Sequence, residues 1–354
     1  MEMNPEHILN KEELNKSEIV FLLSLKEIED IDRLYLRADE VRKIYCGNEV
    51  HLRGIIEFSN YCEQDCLYCG LRKSNKNLQR YRMTKDEINV TAKMITQAGI
   101  KTIVLQSGED HFYSRTLVTD IILIIKEKFD PAITLSIGER GRDEYDEWKK
   151  AGADRYLLKH ETANETLYST YHQKEKLKSR LAHIKCLKEI GYQTGSGNII
   201  GLPRQTFEDI ADDIILCKQM ECDMCSFSPF IPSNNSPLRK IPAANINFTL
   251  KTIATARIVL KDVHMPATTA LSTLTKDGNE LGLKVGANVI MPNFTPVPYR
   301  ENYQIYKNKK TYDPLEYLDE LKEILTRIGR KVGEGKGHSL KFNSQSIGFS
   351  ESLL

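Results

Sequence analysis

The 354-residue chain has a single tryptophan, no apolar run longer than Ile121–Ile125, and a net charge of only +1 from 50 basic and 49 acidic residues. Each shortage excludes something. A helix that spans a bilayer needs roughly 20 consecutive apolar residues, so no segment is read as one. Balanced, interspersed charge leaves no electrostatic footprint for nucleic acid or an anionic membrane surface. Residues Met1–Lys16 are polar and charged and lack the apolar core of a signal peptide. Without a secretory signal, the eight cysteines argue against a disulfide framework, and a reducing cytoplasmic location is expected. No Pro/Gly/Ser-rich linker divides the chain, and residues 292–354 contain no cysteine. Apolar residues, at 40%, are sufficient for a large core.

Where cysteine does occur, it is patterned. Phe58-Ser-Asn-Tyr-Cys62-Glu-Gln-Asp-Cys66-Leu-Tyr-Cys69-Gly70 sets three thiols at C-x3-C-x2-C, directly after a strand-like alternation from Val50 to Phe58. Three thiolates so close in sequence cannot all bridge one another, but they can grip one face of an inorganic cluster. A 4Fe–4S cube usually takes four cysteines. With three, one iron keeps an open position, which is what separates a reactive metal site from a closed structural one. The plainer alternatives are a zinc site completed by a distant histidine and unrelated reduced thiols.

The remainder alternates between helical and strand patterns. Residues 17–47 read as helical, with Ile31, Leu34, Tyr35, Ala38, Val41 and Tyr45 on one face and Gly47 placed to end it. A join then recurs, in which a helical pattern ends in Gly and an apolar run follows. It is found at Gly99, Gly152, Gly191 and Gly286. Thr84, Thr206 and Thr249 stand where N-caps are expected, with Thr84-x-x-Glu87 forming a capping box. The predicted strands are 50–58, 102–107, 132–137, 155–158, 193–200, 224–229, 265–268 and 287–291. Eight strands alternating with helices imply a parallel α/β fold, a closed (β/α)8 barrel of the TIM type. The expected organisation is an N-terminal helical cap over 1–47, a barrel over 48–291, and a C-terminal lid, helix and tail over 292–354. The lid is irregular and rich in Pro and Tyr, and the 331–354 tail is expected to be mobile.

C-x3-C-x-aromatic-C, with Tyr68 before the last cysteine, resembles the signature of the radical S-adenosylmethionine (SAM) superfamily. That resemblance implies one 4Fe–4S cluster on Cys62, Cys66 and Cys69, with SAM chelated at the open iron and cleaved reductively. Ser107-Gly108-Glu109-Asp110 resembles the superfamily's Gly-Gly-Glu-Pro motif, with Ser and Asp replacing two of its residues. Reactive groups of such a barrel gather at the C-terminal strand ends. The resemblance implies that Ser136, Glu161 and Arg180, with Gln106 and Tyr68, contact SAM. A carboxylate at Glu161 can accept from ribose hydroxyls, and a guanidinium at Arg180 can hold a carboxylate bidentately. The plain alternative for Glu161 and Arg180 is an ion pair with each other or with surface neighbours. Gly195, Gly197 and Gly201 are expected to lie close to adenine.

Over about residues 30–330 the resemblance narrows. Ile55–Asn60, Asn77–Thr84, Thr102–Asp110, Ala153–Leu158, His160–Asn164, Pro266–Ala270 and Gly286–Asn293 are similar to segments of FeFe-hydrogenase maturases. Weaker likeness extends to methylornithine and biotin synthases, which act on amino-acid-like or other organic substrates. The closer likeness implies a small iron complex as substrate (cysteine-bound, with two CO and one cyanide), other maturases as partners, and a di-iron subcluster precursor as product. Arg53, Thr134, Thr268, Thr269 and Tyr303 are then candidates for the substrate cavity, with ordinary strand-end polarity as the alternative. Some members carry a second cluster on three cysteines after the last strand. Here that segment has none, so no second cluster is expected there. Lys159 stands where an arginine is common. Cys217-x4-Cys222-x2-Cys225 has ferredoxin-like spacing, but it falls at the barrel end away from the reactive tips. It is read as buried reduced thiols rather than a cluster, and His51, His183 and His264 as core or surface residues. A non-catalytic iron–sulfur carrier is the remaining reading from a different class.

Overall fold

The computed structural model describes residues 4–341 of the chain. Fourteen helices and nine strands are assigned among them. The helices are α1 (Pro5–Leu9), α2 (Lys16–Ser24), α3 (Ile28–Cys46), α4 (Lys85–Gln97), α5 (Arg115–Phe129), α6 (Arg142–Lys150) and α7 (Glu165–Tyr171). They continue with α8 (Leu177–Glu189), α9 (Phe207–Gln219), α10 (Ile246–Leu260), α11 (Thr269–Leu274), α12 (Gly278–Lys284), α13 (Val297–Arg300) and α14 (Pro314–Arg327). The strands are β1 (Glu49–Leu52), β2 (Gly54–Ser59), β3 (Thr102–Ser107), β4 (Ala132–Ser136), β5 (Arg155–Leu157), β6 (Gln193–Ile200), β7 (Met224–Pro229), β8 (Val289–Ile290) and β9 (Lys331–Val332).

Strands β2 to β7 form one parallel sheet in sequence order. Three single parallel bridges carry the ring onward. Met224 pairs with His264, Pro266 with Val289, and Asn293 with Ile55, which returns the sheet to β2. Eight positions thus close a cylinder, although the expected strand at 265–268 is only a pair of isolated bridges. The predicted strand 50–58 is interrupted at Arg53. Its first part, β1, pairs with β8 on one side and with β9 on the other.

Local chemistry accounts for the regular parts. In α4, Thr84 Oγ1 accepts the Glu87 N–H at 3.3 Å and Glu87 accepts the Thr84 N–H at 2.7 Å, completing the capping box. The helix buries Ile88, Thr91, Ala92 and Ile95 on one face. All four recurrent join glycines have positive φ, between 82° and 115°, where a side chain would be strained.

Three expectations are corrected. The 17–47 helix is broken at residues 25–27 into α2 and α3, which pack along the flank of the barrel against α9 and α10. Thr206 caps α9, but α10 is capped by Asn245, and Thr249 lies inside it, donating its hydroxyl to the Asn245 carbonyl at 3.1 Å. The tail is not simply mobile. Residues 331–341 run beneath the cylinder, where Arg155, fully buried, donates to the carbonyls of Lys336 and Gly337 at 2.6 and 2.8 Å. The other tail residues, 342–354, lie outside those described.

Candidate active site

The loop after β2 carries Cys62, Cys66 and Cys69 at the C-terminal mouth of the cylinder. Backbone bonds pin it from every side. Glu63 N–H donates to Glu109 O at 2.9 Å, Leu67 N–H to Tyr171 O at 3.0 Å, and Gly70 N–H to Ile305 O at 2.8 Å. Arg80 clasps the loop by donating to the carbonyls of Asn60, Leu71, Arg72 and Asn75. Two glycines are required by contact. A Cβ on Gly108 would lie 2.1 Å from Tyr61 O, and one on Gly70 would lie 1.8 Å from Gln304 O. The cluster loop is therefore sandwiched between the Ser107–Asp110 turn and the lid.

A cavity of about 370 Å³ opens at this mouth, lined by all three cysteines. The expected SAM contacts Tyr68, Gln106, Ser136, Glu161 and Arg180 line the same cavity, as do Thr268, Thr269 and Tyr303. Gln106 donates to the Tyr303 hydroxyl at 3.3 Å, joining the two sets. The Thr268 hydroxyl accepts the Leu271 N–H at 3.3 Å and caps α11. Arg53 and Thr134 do not line the cavity. Arg53 is two residues before Ile55 on an inward-facing register, and Thr134 two before Ser136, so both sit one layer deeper. Both are buried. Arg53 Nε and Nη2 and Thr134 Oγ1 have no hydrogen-bond partner among the described residues.

Charge in the mouth follows the plain alternative in part: Glu161 and Arg180 are both ion-paired, but with neighbours and not with each other. Glu161 does not meet Arg180. It lies 3.0 Å from Lys159 and holds a left-handed φ of 64°, a conformation that non-glycine residues keep only where their surroundings enforce it. Arg180 is paired with Glu139 at 2.9 Å and Glu175 at 2.5 Å, and is almost wholly buried. Gly197 has φ 140°, and a Cβ there would lie 2.0 Å from Ser226 O, so its backbone packs tightly against β7.

Several residues were missed. His172 Nδ1 is 3.5 Å from the Cys66 sulfur and its Nε2 is 2.9 Å from the Tyr68 hydroxyl, while the ring stacks on Tyr168 at 4.3 Å. No pattern around His172 signals this, because the contact spans more than 100 residues of sequence. Glu57 and Lys309 form a buried ion pair inside the cavity, supported by Asn293 at 2.8 Å from Glu57. Glu57 was legible, since an acid on the inward face of a buried strand needs a partner.

The loop thiols fit a cationic cluster. Burial, and then the charges of Cys69 and Cys62, push the Cys66 thiol well up; burial and Cys62 raise Cys69 to about 12; burial raises Cys62. Three thiolates so desolvated and mutually repelling are stable only beside positive charge, which the irons of a cluster provide.

An α/β cylinder with three cysteines on its first strand–helix loop, beside a cavity that mixes apolar walls with a few polar groups, has the layout of an iron–sulfur enzyme of the barrel class. Residues 56–217 match the radical SAM superfamily. The chain is 48% identical over 301 residues, 85% of its length and 86% of the relative's, to the [FeFe] hydrogenase maturase subunit HydE of Thermotoga maritima. It is 29% identical to the 3-methylornithine synthase of Methanosarcina acetivorans, over 80% of this chain and 81% of that one. Among solved structures, methylornithine synthase PylB superposes with a TM-score of 0.83 at 25% identity, covering 96% and 99% of the two chains. The hydrogenase maturase HydG shares the fold, with a TM-score of 0.81 at 21% identity over 94% of this chain and 75% of that one. The chain belongs to the radical SAM superfamily and, within it, is a HydE-like maturase. Its family cofactors are accordingly a 4Fe–4S cluster and SAM. No helix among the described residues is long and apolar enough to cross a membrane.

Proposed function

We propose that this chain matures FeFe-hydrogenase by reductive SAM cleavage, acting on a cysteine-bound iron carbonyl cyanide complex on the way to the di-iron subcluster. The observation that carries the reading is the single cavity shared by Cys62, Cys66, Cys69 and the strand-end polar set, in a chain 48% identical to HydE. When bound, the cluster supplies the electron that breaks a sulfur–carbon bond of SAM, giving methionine and a 5'-deoxyadenosyl radical.

The chain's residues position and shield. Cys62, Cys66 and Cys69 would hold three irons and leave the fourth for SAM. Glu161, Ser136, Gln106 and Tyr68 offer acceptors and donors around the same space. Arg180 would act less as an open fork than as the cation that fixes Glu139 and Glu175 at the rim. Below them, Arg53 and Thr134 keep donors without partners among the described residues, which suits cyanide or carboxylate acceptors of a small iron complex. Thr268, Thr269 and Tyr303 line the mouth cavity itself. In this reading the chain works with other maturases in the reducing cytoplasm, with one 4Fe–4S cluster.

A second reading, a radical reaction on an amino-acid-like substrate, is favoured by the PylB superposition. Anaerobically reconstituted protein decides between them. Formation of 5'-deoxyadenosine together with activation of apo-hydrogenase in a defined assay is the expected result. Cleavage with no activation, but with rearrangement of an amino acid such as lysine, would replace the maturase reading. A cluster that transfers to an acceptor without any SAM cleavage would make the chain a carrier.

A further inference from the structure

Three cysteines have no part in the active site and lie at the other end of the cylinder. Cys217 is in the last turn of α9, Cys222 in the connection that follows, and Cys225 is the second residue of β7. Glu221 takes a left-handed φ of 47°, and the Cys222 N–H returns to the Cys217 carbonyl at 3.1 Å. The connection therefore folds back on itself and brings all three sulfurs within 4.8 Å of one another. Among the described residues, this is the one His/Cys/Asp/Glu set found to converge in that way. All three side chains are buried, with at most 1% exposure.

Spacing determines which group fits. Metal–sulfur bonds of about 2.3 Å place three thiolates around a single ion roughly 3.8–4.0 Å apart, within the observed limit. A four-iron cube instead distributes its ligands over separate irons. Cation is also at hand. Lys341 donates to the Cys222 carbonyl at 3.0 Å, and Arg257, wholly buried, donates to the Val263 carbonyl at 2.8 Å beside the same apolar cluster. These charges offset part of the negative charge that a thiolate-bound ion would bring into the core.

We propose that Cys217, Cys222 and Cys225 form a three-thiolate structural site for one thiophilic ion, Zn2+ or Cu+, that ties the end of α9 to the start of β7. Soft thiolates select these ions. Each coordinating thiol releases its proton to solvent as its metal–sulfur bond forms, and no electron is transferred. Because the sulfurs are buried, the ion is taken up as the chain folds.

The test uses the full chain expressed with zinc and, separately, under copper-loading conditions, then washed with chelator and analysed for metal. Four proteins are compared: wild type, Cys217→Ala, Cys225→Ala and the cluster-loop variant Cys66→Ser. Wild type and Cys66→Ser should each retain about one zinc or copper per chain, and the two alanine variants at least about tenfold less. Which of the two metals is retained identifies the ion. X-ray absorption at that metal's edge on wild-type protein should show a sulfur shell at about 2.3 Å, a measurement that stands even if an alanine variant fails to fold. Equal metal in wild type and Cys217→Ala, loss of the metal in Cys66→Ser, or wild type that holds neither metal would overturn the site. In that case the three thiols are packing residues.

Discussion

Cys66 has His172 on its sulfur and the charges of Cys69 and Cys62 facing it. Cys66→Ser removes one of only three thiolates and should abolish both cluster absorbance and 5'-deoxyadenosine formation, measured on reconstituted protein. Retained cleavage would move the cluster elsewhere. A second residue-scale test concerns Glu57 and Lys309, a buried pair with side-chain exposures of 3% and 8%. Removing one partner strands a charge in the core, so Lys309→Met and Glu57→Gln should each destabilise, the former by about 3–5 kcal/mol. The double variant should recover much of that loss in a urea-melt cycle; simple additivity would show that the pair is not coupled. Glu175 gives a pH test. Burial alone would raise its carboxyl, but the His172 hydrogen bond and the Arg180 charge outweigh it and hold it at about 2, below its ordinary 4.5. The lowered folded-state value stabilises the protein above about pH 4.5, and that contribution disappears as pH falls through 2. Glu175→Gln should therefore be less stable than wild type at pH 6, with the gap closing in acid.

At the scale of elements, legibility followed whether a signal was local. The helix-Gly-strand joins could be read because a left-handed glycine and an apolar run are adjacent in sequence, and all four were found with positive φ. The C-x3-C-x2-C loop was legible for the same reason. The segment at 265–268 was over-read as a strand, since its apolar residues look strand-like although only single bridges form, at His264 and Pro266. The cap of α10 was misplaced by four residues because Thr249 and Asn245 are both good caps, and only the helix start decides between them. His172, Lys309 and Glu139 could not be read, because each reaches its partner from a separate part of the fold, whereas Glu175 lies only five residues before Arg180. The α4 capping box, which could be read, also reaches further than expected: Glu87 accepts the Tyr299 hydroxyl at 2.6 Å, linking the helix start to α13. Thr84→Ala should cost about 1 kcal/mol in thermal or chemical denaturation. Glu87→Ala should cost more, because it also releases Tyr299; equal losses would show that the Tyr299 contact contributes nothing.

Across the whole molecule, the two ends of the cylinder are closed by different means. The mouth is covered by the lid, through the Gly70–Ile305 backbone bond and Lys309. The bottom is sealed by residues 331–341, which begin with β9 and continue beneath the strands. There they satisfy groups that would otherwise be buried without partners. Thr102 Oγ1 donates to the Lys336 carbonyl at 2.8 Å, Ser339 N–H donates to Gln193 Oε1 at 2.8 Å, and His264 Nε2 meets the His338 carbonyl at 2.9 Å. Arg155 alone places three of its contacts on this segment. Removing it exposes or strands a buried guanidinium and several neutral polar groups, each worth about 1–3 kcal/mol when unpaired. A chain ended after Lys341 serves as the reference. Against it, a chain ended after Arg330 should lose several kcal/mol in chemical denaturation and show faster amide exchange in β3, β5 and β6 at their N-terminal ends. The site residues sit at the opposite ends of the same strands, so the shorter chain should still assemble its cluster when it is folded at low temperature. Equal stability of the two chains would mean that water replaces the segment without cost and that the cylinder needs no floor.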